Sequence, residues 1–187
     1  SRISSVQNTK KITKAMKMVA AAKVKKAENT VKAARPFSDE LLHLFRKMLA
    51  TVGEYSVAGL HVQRALDNYP ELLEKRDIKT EGLLVITSNK GLAGAYNSNI
   101  IKTAIARIRA NKERGVNTVI YPVGQKAVSA FKHAGKYFEL KEGYISIAND
   151  PTATGANIIA EDIAEDFVSG HIDKIDIITT HFNNMMS

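Results

Sequence analysis

Apolar residues recur at steps of three and four along the first 35 positions. Ile12, Met16, Val19 or Ala20, Val24, Ala27, Val31 and Ala34 form one stripe, with lysines set between them. That spacing is the period of an α-helix with a single apolar face. No Gly or Pro interrupts residues 3–35, and the alanines and lysines that fill them are strong helix formers. At 1.5 Å per residue the helix is roughly 50 Å long. Pro36, followed by Ser38 as an N-cap ahead of Asp39 and Glu40, predicts a break or bend. A second amphipathic helix then runs through Leu41, Leu42, Leu44, Phe45, Met48 and Leu49 to near Gly53.

Residues 53–81 read as irregular, with a short helical stretch around Pro70 to Lys75. The period then changes. Leu83 to Thr87 is a continuous β-type run, followed by the turn Asn89-Lys90-Gly91-Leu92-Ala93-Gly94. A helix from about Ser98 to Glu113 carries Ile101, Ile105 and Ile108 on one face, and Gly115 stops it. Thr118 to Val123 is the next strand. Gly124 opens a helix through Val128 and Phe131 to Gly135, and Tyr137 to Leu140 is a short strand. Asp150 as N-cap with Pro151 at the first helical position starts a helix ending at Gly170, and Ile175 to Thr179 forms the last strand. Apolar strands alternating with helices predict an α/β fold: a Rossmann-like, largely parallel sheet flanked by helices and preceded by the long helix. The expected organisation is a helical segment over 1–53, a connector over 54–81 and an α/β domain over 82–187, incomplete at its C-terminal end.

Charge sharpens the picture of the first segment. The net charge is +8, yet residues 1–35 hold ten basic residues against the single acid Glu28, a net of +9. The remaining 152 residues net −1, so the whole excess sits on one helix. A narrow, Ala-rich stripe among so many charges cannot bury itself in a core, and an isolated helix gains little stability without packing. It needs a partner of similar length, and Ala20, Ala21, Ala22 and Ala27 allow close approach. The chain offers no second helix of that length, so the expected partner lies downstream of residue 187 or on another chain. There is no cysteine, and no apolar run approaches the ~20 residues that span a bilayer.

Candidate chemistry is sparse. Gly91-Leu92-Ala93-Gly94 invites a phosphate reading, but it is not G-x-G-x-x-G, and the following strand ends at Tyr121-Pro122-Val123 without an acid for a ribose. Gly91 and Gly94 are therefore read as a structural turn. His43, His61, His133, His171 and His181 show no metal-ligand spacing. Ser98 and Ser129 lie outside any nucleophile elbow. Glu161, Asp162, Glu165 and Asp166 read as the polar face of a helix opposite Ile158, Ile159 and Ile163. No catalytic, cofactor-binding or metal-ligating residue is assigned. A +9 helix would attract phosphates, but residues 1–36 hold no aromatic for stacking, no zipper heptads and no helix-turn-helix. A nucleic-acid-binding helix and a nucleotide-binding Rossmann enzyme stand as the alternatives to a partner-binding helix.

Two long motifs carry a family resemblance. Ser5 to Lys23 (SVQNTKKITKAMKMVAAAK), with Ala34-Arg35-Pro36-Phe37 after it, resembles the N-terminal helix of F-type ATP synthase γ subunits. Ile86 to Asn99 (ITSNKGLAGAYNSN) resembles that family's turn after the first strand, in a form closer to bacterial members. The resemblance implies a central-stalk rotor. In that family a C-terminal helix, absent here, pairs with the N-terminal one as an antiparallel coiled coil inside a ring of α and β subunits. The globular part meets an ε-type subunit and the membrane c-ring. The implied role is non-catalytic, coupling proton transport to ATP synthesis or hydrolysis, with no cofactor and no nucleic acid. It implies a peripheral site on the cytoplasmic face of the bacterial plasma membrane, or the matrix side in a mitochondrion. By the same resemblance Lys10, Lys11, Lys14, Met16, Lys17 and Lys23 are expected to meet the α/β ring.

Overall fold

The computed structural model describes residues 2–54 and 76–181. The chain divides into two units, Ser1–Asn68 and Tyr69–Ser187. The first is built on one helix, α1 (Arg2–Glu54), whose 53 residues make a rod of roughly 80 Å. Pro36 lies inside it, contrary to the expected break, and Ser38 is a helical residue and not a cap. Proline removes one N–H from the helix ladder. Here the strong helix formers on both sides, Ala33 and Ala34 before it and Glu40 to Leu42 after it, carry the helix past that single lost rung. The helical stretch expected around residues 70–75 lies outside the described residues.

The second unit contains β1 (Thr80–Ile86), α2 (Tyr96–Glu113), β2 (Asn117–Val123), α3 (Gln125–Phe131), β3 (Glu139–Leu140), α4 (Ile145–Asn149), α5 (Ala153–Val168) and β4 (Lys174–Ile178). The strands form one sheet in the order β3-β2-β1-β4, all parallel. Leu83 lies level with Ile120 on one side and Asp176 on the other. Strand side chains alternate between faces. Leu83, Val85 and Ile120 therefore pack under α2 and α3 with Ile100, Ala104, Ile108, Ala127 and Phe131. Leu84, Val119, Tyr121 and Val123 pack on the opposite face with Ile159 of α5 and Ile172. Both faces are covered, as the unbroken apolar runs of β1 and β2 require.

Three local expectations change. The buried row of α2 is Ile100, Ala104, Ile108 and Asn111, leaving Ile105 exposed, because the helix turns to bring Asn111 and Arg107 over β1. The cap of α5 is Thr152, whose Oγ1 accepts from the Gly155 N–H at 3.0 Å, while Asp150 ends the unanticipated helix α4. Asp166 leaves the polar face, whereas Asp162 stays exposed on it. Asp166 accepts from the Tyr121 hydroxyl at 2.6 Å and pairs with Lys141 at 2.9 Å, and Asp162 accepts from the Tyr144 hydroxyl at 2.6 Å. Burial first, then these carboxylates, push both tyrosine pKa values up. No described helix is long and apolar enough to cross a membrane.

The strand β1 begins three residues earlier than its apolar run, and this extension carries the buried carboxylate of Glu81, only 1% exposed. Arg107 grips it with Nε and Nη2, Asn111 Nδ2 donates at 2.6 Å, and Lys174 Nζ of the neighbouring strand donates at 3.1 Å. Asp176, two residues along β4, holds the same Arg107 and Lys174 at 2.9 and 2.8 Å. Burial alone would raise the Glu81 pKa. The donors from Arg107, Asn111 and Lys174 outweigh it and hold the pKa at about 2, against an ordinary 4.5. A carboxylate depressed in the folded state adds stability above its unfolded pKa, and loses it as the pH falls through the folded value. Urea unfolding should accordingly show stability falling between about pH 4.5 and about pH 2. Glu81→Gln should flatten that window and cost about 3 kcal/mol at neutral pH, because it leaves buried donors and cations unanswered.

Candidate functional site

On α1 the six residues expected at a partner surface are all exposed. They do not share one face. Lys10, Lys14 and Lys17 recur at i, i+4 and i+7 and so form a single row, with Lys11 beside it. Met16 belongs to the row of Ile12 and Val19 on the other side, and Lys23 continues that apolar row. Ile12, Met16 and Val19 are each more than half exposed, so the stripe stands open along its length.

The charge of the helix is equally open. Glu28 takes Lys32 at 2.8 Å and Lys25 at 3.5 Å, and the hydrogen bond from Lys32 leads the lowering of its pKa. Among the described residues no acid lies within ion-pair distance of Lys10, Lys11, Lys14, Lys17 or Lys23. The hydroxyls of Thr9 and Thr13 are spent on the carbonyls of Ser5 and Thr9, at 3.0 and 2.8 Å. What α1 offers is an unneutralised cationic row on one side and an uncovered apolar row on the other. Such a surface can bind another protein.

In the second unit the turn between β1 and α2 sits at the C-terminal end of the sheet, where open parallel sheets hold ligands. The turn is knitted by its own side chains. Asn97 Oδ1 accepts from the Ser88 N–H at 3.0 Å, and Asn97 Nδ2 donates to Ser88 Oγ at 3.0 Å. Asn89 reaches the other way, donating to the Ile145 carbonyl at 2.8 Å and accepting from the Gln125 N–H at 2.7 Å. Thr87 Oγ1 donates to the Val123 carbonyl and accepts from the Ala127 N–H. The turn therefore braces the starts of α2, α3 and α4 against one another. Gly94 has φ of +54°, as a structural turn residue should, whereas Gly91 lies outside the left-handed region. Gly124, read from sequence only as a helix start, is the tighter position. Its φ is +90°, and any Cβ there would run into the Thr87 carbonyl.

Asn89 and Asn97 were not singled out by sequence. Their signal was the Asn-rich composition of the turn, since Asn side chains bond nearby backbone. Ser98 and Ser129 are engaged within their own helices, Ser98 Oγ donating to the Ala95 carbonyl and Ser129 Oγ accepting from Gln125. His171 pairs with Glu139 at 3.0 Å, and the described residues contain no cluster fit to hold a metal ion.

A family model described as ATP synthase matches residues 1–187. The chain is similar to the ATP synthase gamma chain of Synechococcus sp. (strain JA-3-3Ab), with 37% identity over 186 residues, covering 100% of this chain and 55% of that one. It is 38% identical over 188 residues to the ATP synthase gamma chain of Crocosphaera subtropica, and 39% identical over 187 residues to that of Picosynechococcus sp., with the same coverage. The chain thus spans about half the length of the curated relatives it matches.

Alanine substitution should rank the glycines of the turn by their geometry. Gly91→Ala should stay within about 0.5 kcal/mol of the parent, as an open surface position does. Gly94→Ala should cost about 1 kcal/mol for a left-handed residue with free space around it. Gly124→Ala should cost about 3 kcal/mol, because strain and a backbone collision combine. Chemical unfolding of the three variants measures the order directly.

Proposed function

The chain belongs to the ATP synthase γ-chain family, and we propose that it serves as the central-stalk rotor of an F-type ATP synthase, a non-catalytic subunit that transmits rotation between the membrane c-ring and the α/β ring. The observation that carries this reading is the division of α1 into two open faces. The apolar row through Ile12, Met16 and Val19 takes the second helix of an antiparallel coiled coil. The opposite row of Lys10, Lys14 and Lys17, with Lys11 at its edge, is left to face the ring. Met16 and Lys23, on the apolar side, act through the coiled-coil seam and not through direct contact with β subunits.

A rod that packs differently against each of three equivalent neighbours biases their conformational equilibria, and this is how torque becomes nucleotide affinity. Exposed cation–carboxylate pairs contribute only about 0–1 kcal/mol each, so the lysine row acts collectively and the stiffness of the rod matters as much as its charge. An uninterrupted α1 suits that demand. In this reading α1 is the shaft, a connector follows it, and the domain that begins with β1 at Thr80 meets an ε-type subunit and the c-ring. The complex lies at the cytoplasmic face of a bacterial plasma membrane. The dinucleotide alternative loses ground, because the turn after β1 is filled by Ser88 and Asn97 and the end of β2 offers no acid.

The test uses the full-length protein assembled with α and β subunits and the membrane sector. Deleting residues 2–30 should abolish ATP-driven proton uptake into vesicles, and uptake at the parental rate would overturn the rotor reading. Ile12→Asp with Met16→Asp should reduce coupling more than alanine at Lys10, Lys14 and Lys17 together, since it disrupts the seam instead of several weak surface pairs.

A further inference from the structure

We propose that the groove between α2 and α3 docks an acidic amphipathic helix of a partner protein. The surface lies within the second unit and owes nothing to α1, so it stands apart from the rotor reading. One wall is α2, contributing Ile105, Ile108, Arg109 and Lys112. The other is the end of α3 and the turn after it, where Ala130 and Ala134 are small enough to leave a trough of about 430 Å³ floored by Phe131 and Phe138. Ile108 and Phe131 are core residues whose edges reach the trough, whereas Ile105 lines it while 38% exposed.

The charge of the trough is one-sided. Among the described residues its only charged lining residues are Arg109 and Lys112, and no carboxylate lines it. Arg109 is exposed and has no ion-pair partner among the described residues. Lys112 lies over the ring of Tyr137, 4.8 Å from its centroid, a contact that satisfies the ring face without neutralising the ammonium. The trough continues past Tyr137 into a second hollow of about 410 Å³, which adds Lys136 and again no acid.

An apolar floor between a helix and a turn, with cations along one rim, is the arrangement that accepts a helix by its apolar face. Leucine-type side chains at i, i+3 or i+4, and i+7 would lie over Ala130 and Ala134 and cover Ile105. Acidic residues beside them would meet Arg109, Lys112 and Lys136, and this complementarity selects an acidic over a basic partner. A small organic ligand is a poorer fit, because no polar groups converge on the floor to orient one.

The probe is a synthetic helical peptide with leucines at that spacing and flanking glutamates, labelled with a fluorophore and titrated into the full chain. Its twin carries lysines in place of the glutamates. Anisotropy should rise to saturation with the acidic peptide and respond at least tenfold more weakly to the twin. Arg109→Glu with Lys112→Glu should invert that preference, and Ala130→Glu should abolish binding of the acidic peptide by filling the trough. All three positions are exposed, so the variants keep the parental circular dichroism and unfolding profile. The proposal is overturned if the acidic peptide does not bind, if both peptides bind alike, if the charge reversal leaves the preference unchanged, or if Ala130→Glu leaves binding intact.

Discussion

Burying the Glu81 carboxylate beneath α2 obliges every neighbouring element to answer it. Arg107 and Asn111 must come from the helix, Lys174 from the adjacent strand, and Asp176 must hold the two cations in place. A charge taken out of water is tolerated only when its partners are close and its hydrogen bonds complete. This fixes the rotation of α2 and the register of β4 on β1, where Glu81 stands level with Lys174. The same rotation leaves Ile105 outside the core and opens the trough beside α3. One buried anion therefore shapes both the sheet edge and the surface on the far side of the helix.

The two units rest on opposite physical strategies. The α/β unit satisfies itself. Its two apolar layers, its ionic cluster and its tyrosine–aspartate pairs leave no buried polar side chain among the described residues without a partner. The helix α1 leaves its sides open. Its apolar row is exposed, and among the described residues Lys10, Lys11, Lys14, Lys17 and Lys23 have no acid within ion-pair distance, so its stability and its use both depend on something beside it. The proposed rotor role supplies a reason for such a division, since a shaft of that kind must be stiff along its length and incomplete on its sides.

The turn after β1 shows how a nucleotide-like fold can serve another end. In a dinucleotide-binding protein the glycines of this turn let backbone approach a pyrophosphate. In this chain Asn89, Asn97, Ser88 and Thr87 occupy that region and tie three helix starts together. Gly94 and Gly124 are there for chain geometry.

Much of this was legible in the linear sequence, wherever a rule acts over a few residues. The stripe from Ile12 to Ala34 announced α1, the apolar runs announced β1, β2 and β4, and Gly115 announced the end of α2, because helical and extended periods are local properties of the chain. The concentration of charge on the first 35 residues was also plain. Local rules failed where a distant group decided the outcome. Pro36 did not end its helix, Thr152 displaced Asp150 as a cap, and Thr80-Glu81-Gly82 joined a strand although nothing in those letters is apolar. Sequence alone thus determined the long basic helix with its open apolar stripe and the apolar cores of β1, β2 and β4, for these follow from composition and period. Only the tertiary structure decided that Glu81 is buried, that Asp162 and Asp166 face tyrosines, and that Ile105 and Arg109 share an open groove. Those facts depend on residues brought together from 18 to 93 positions apart, a distance across which no sequence period carries information.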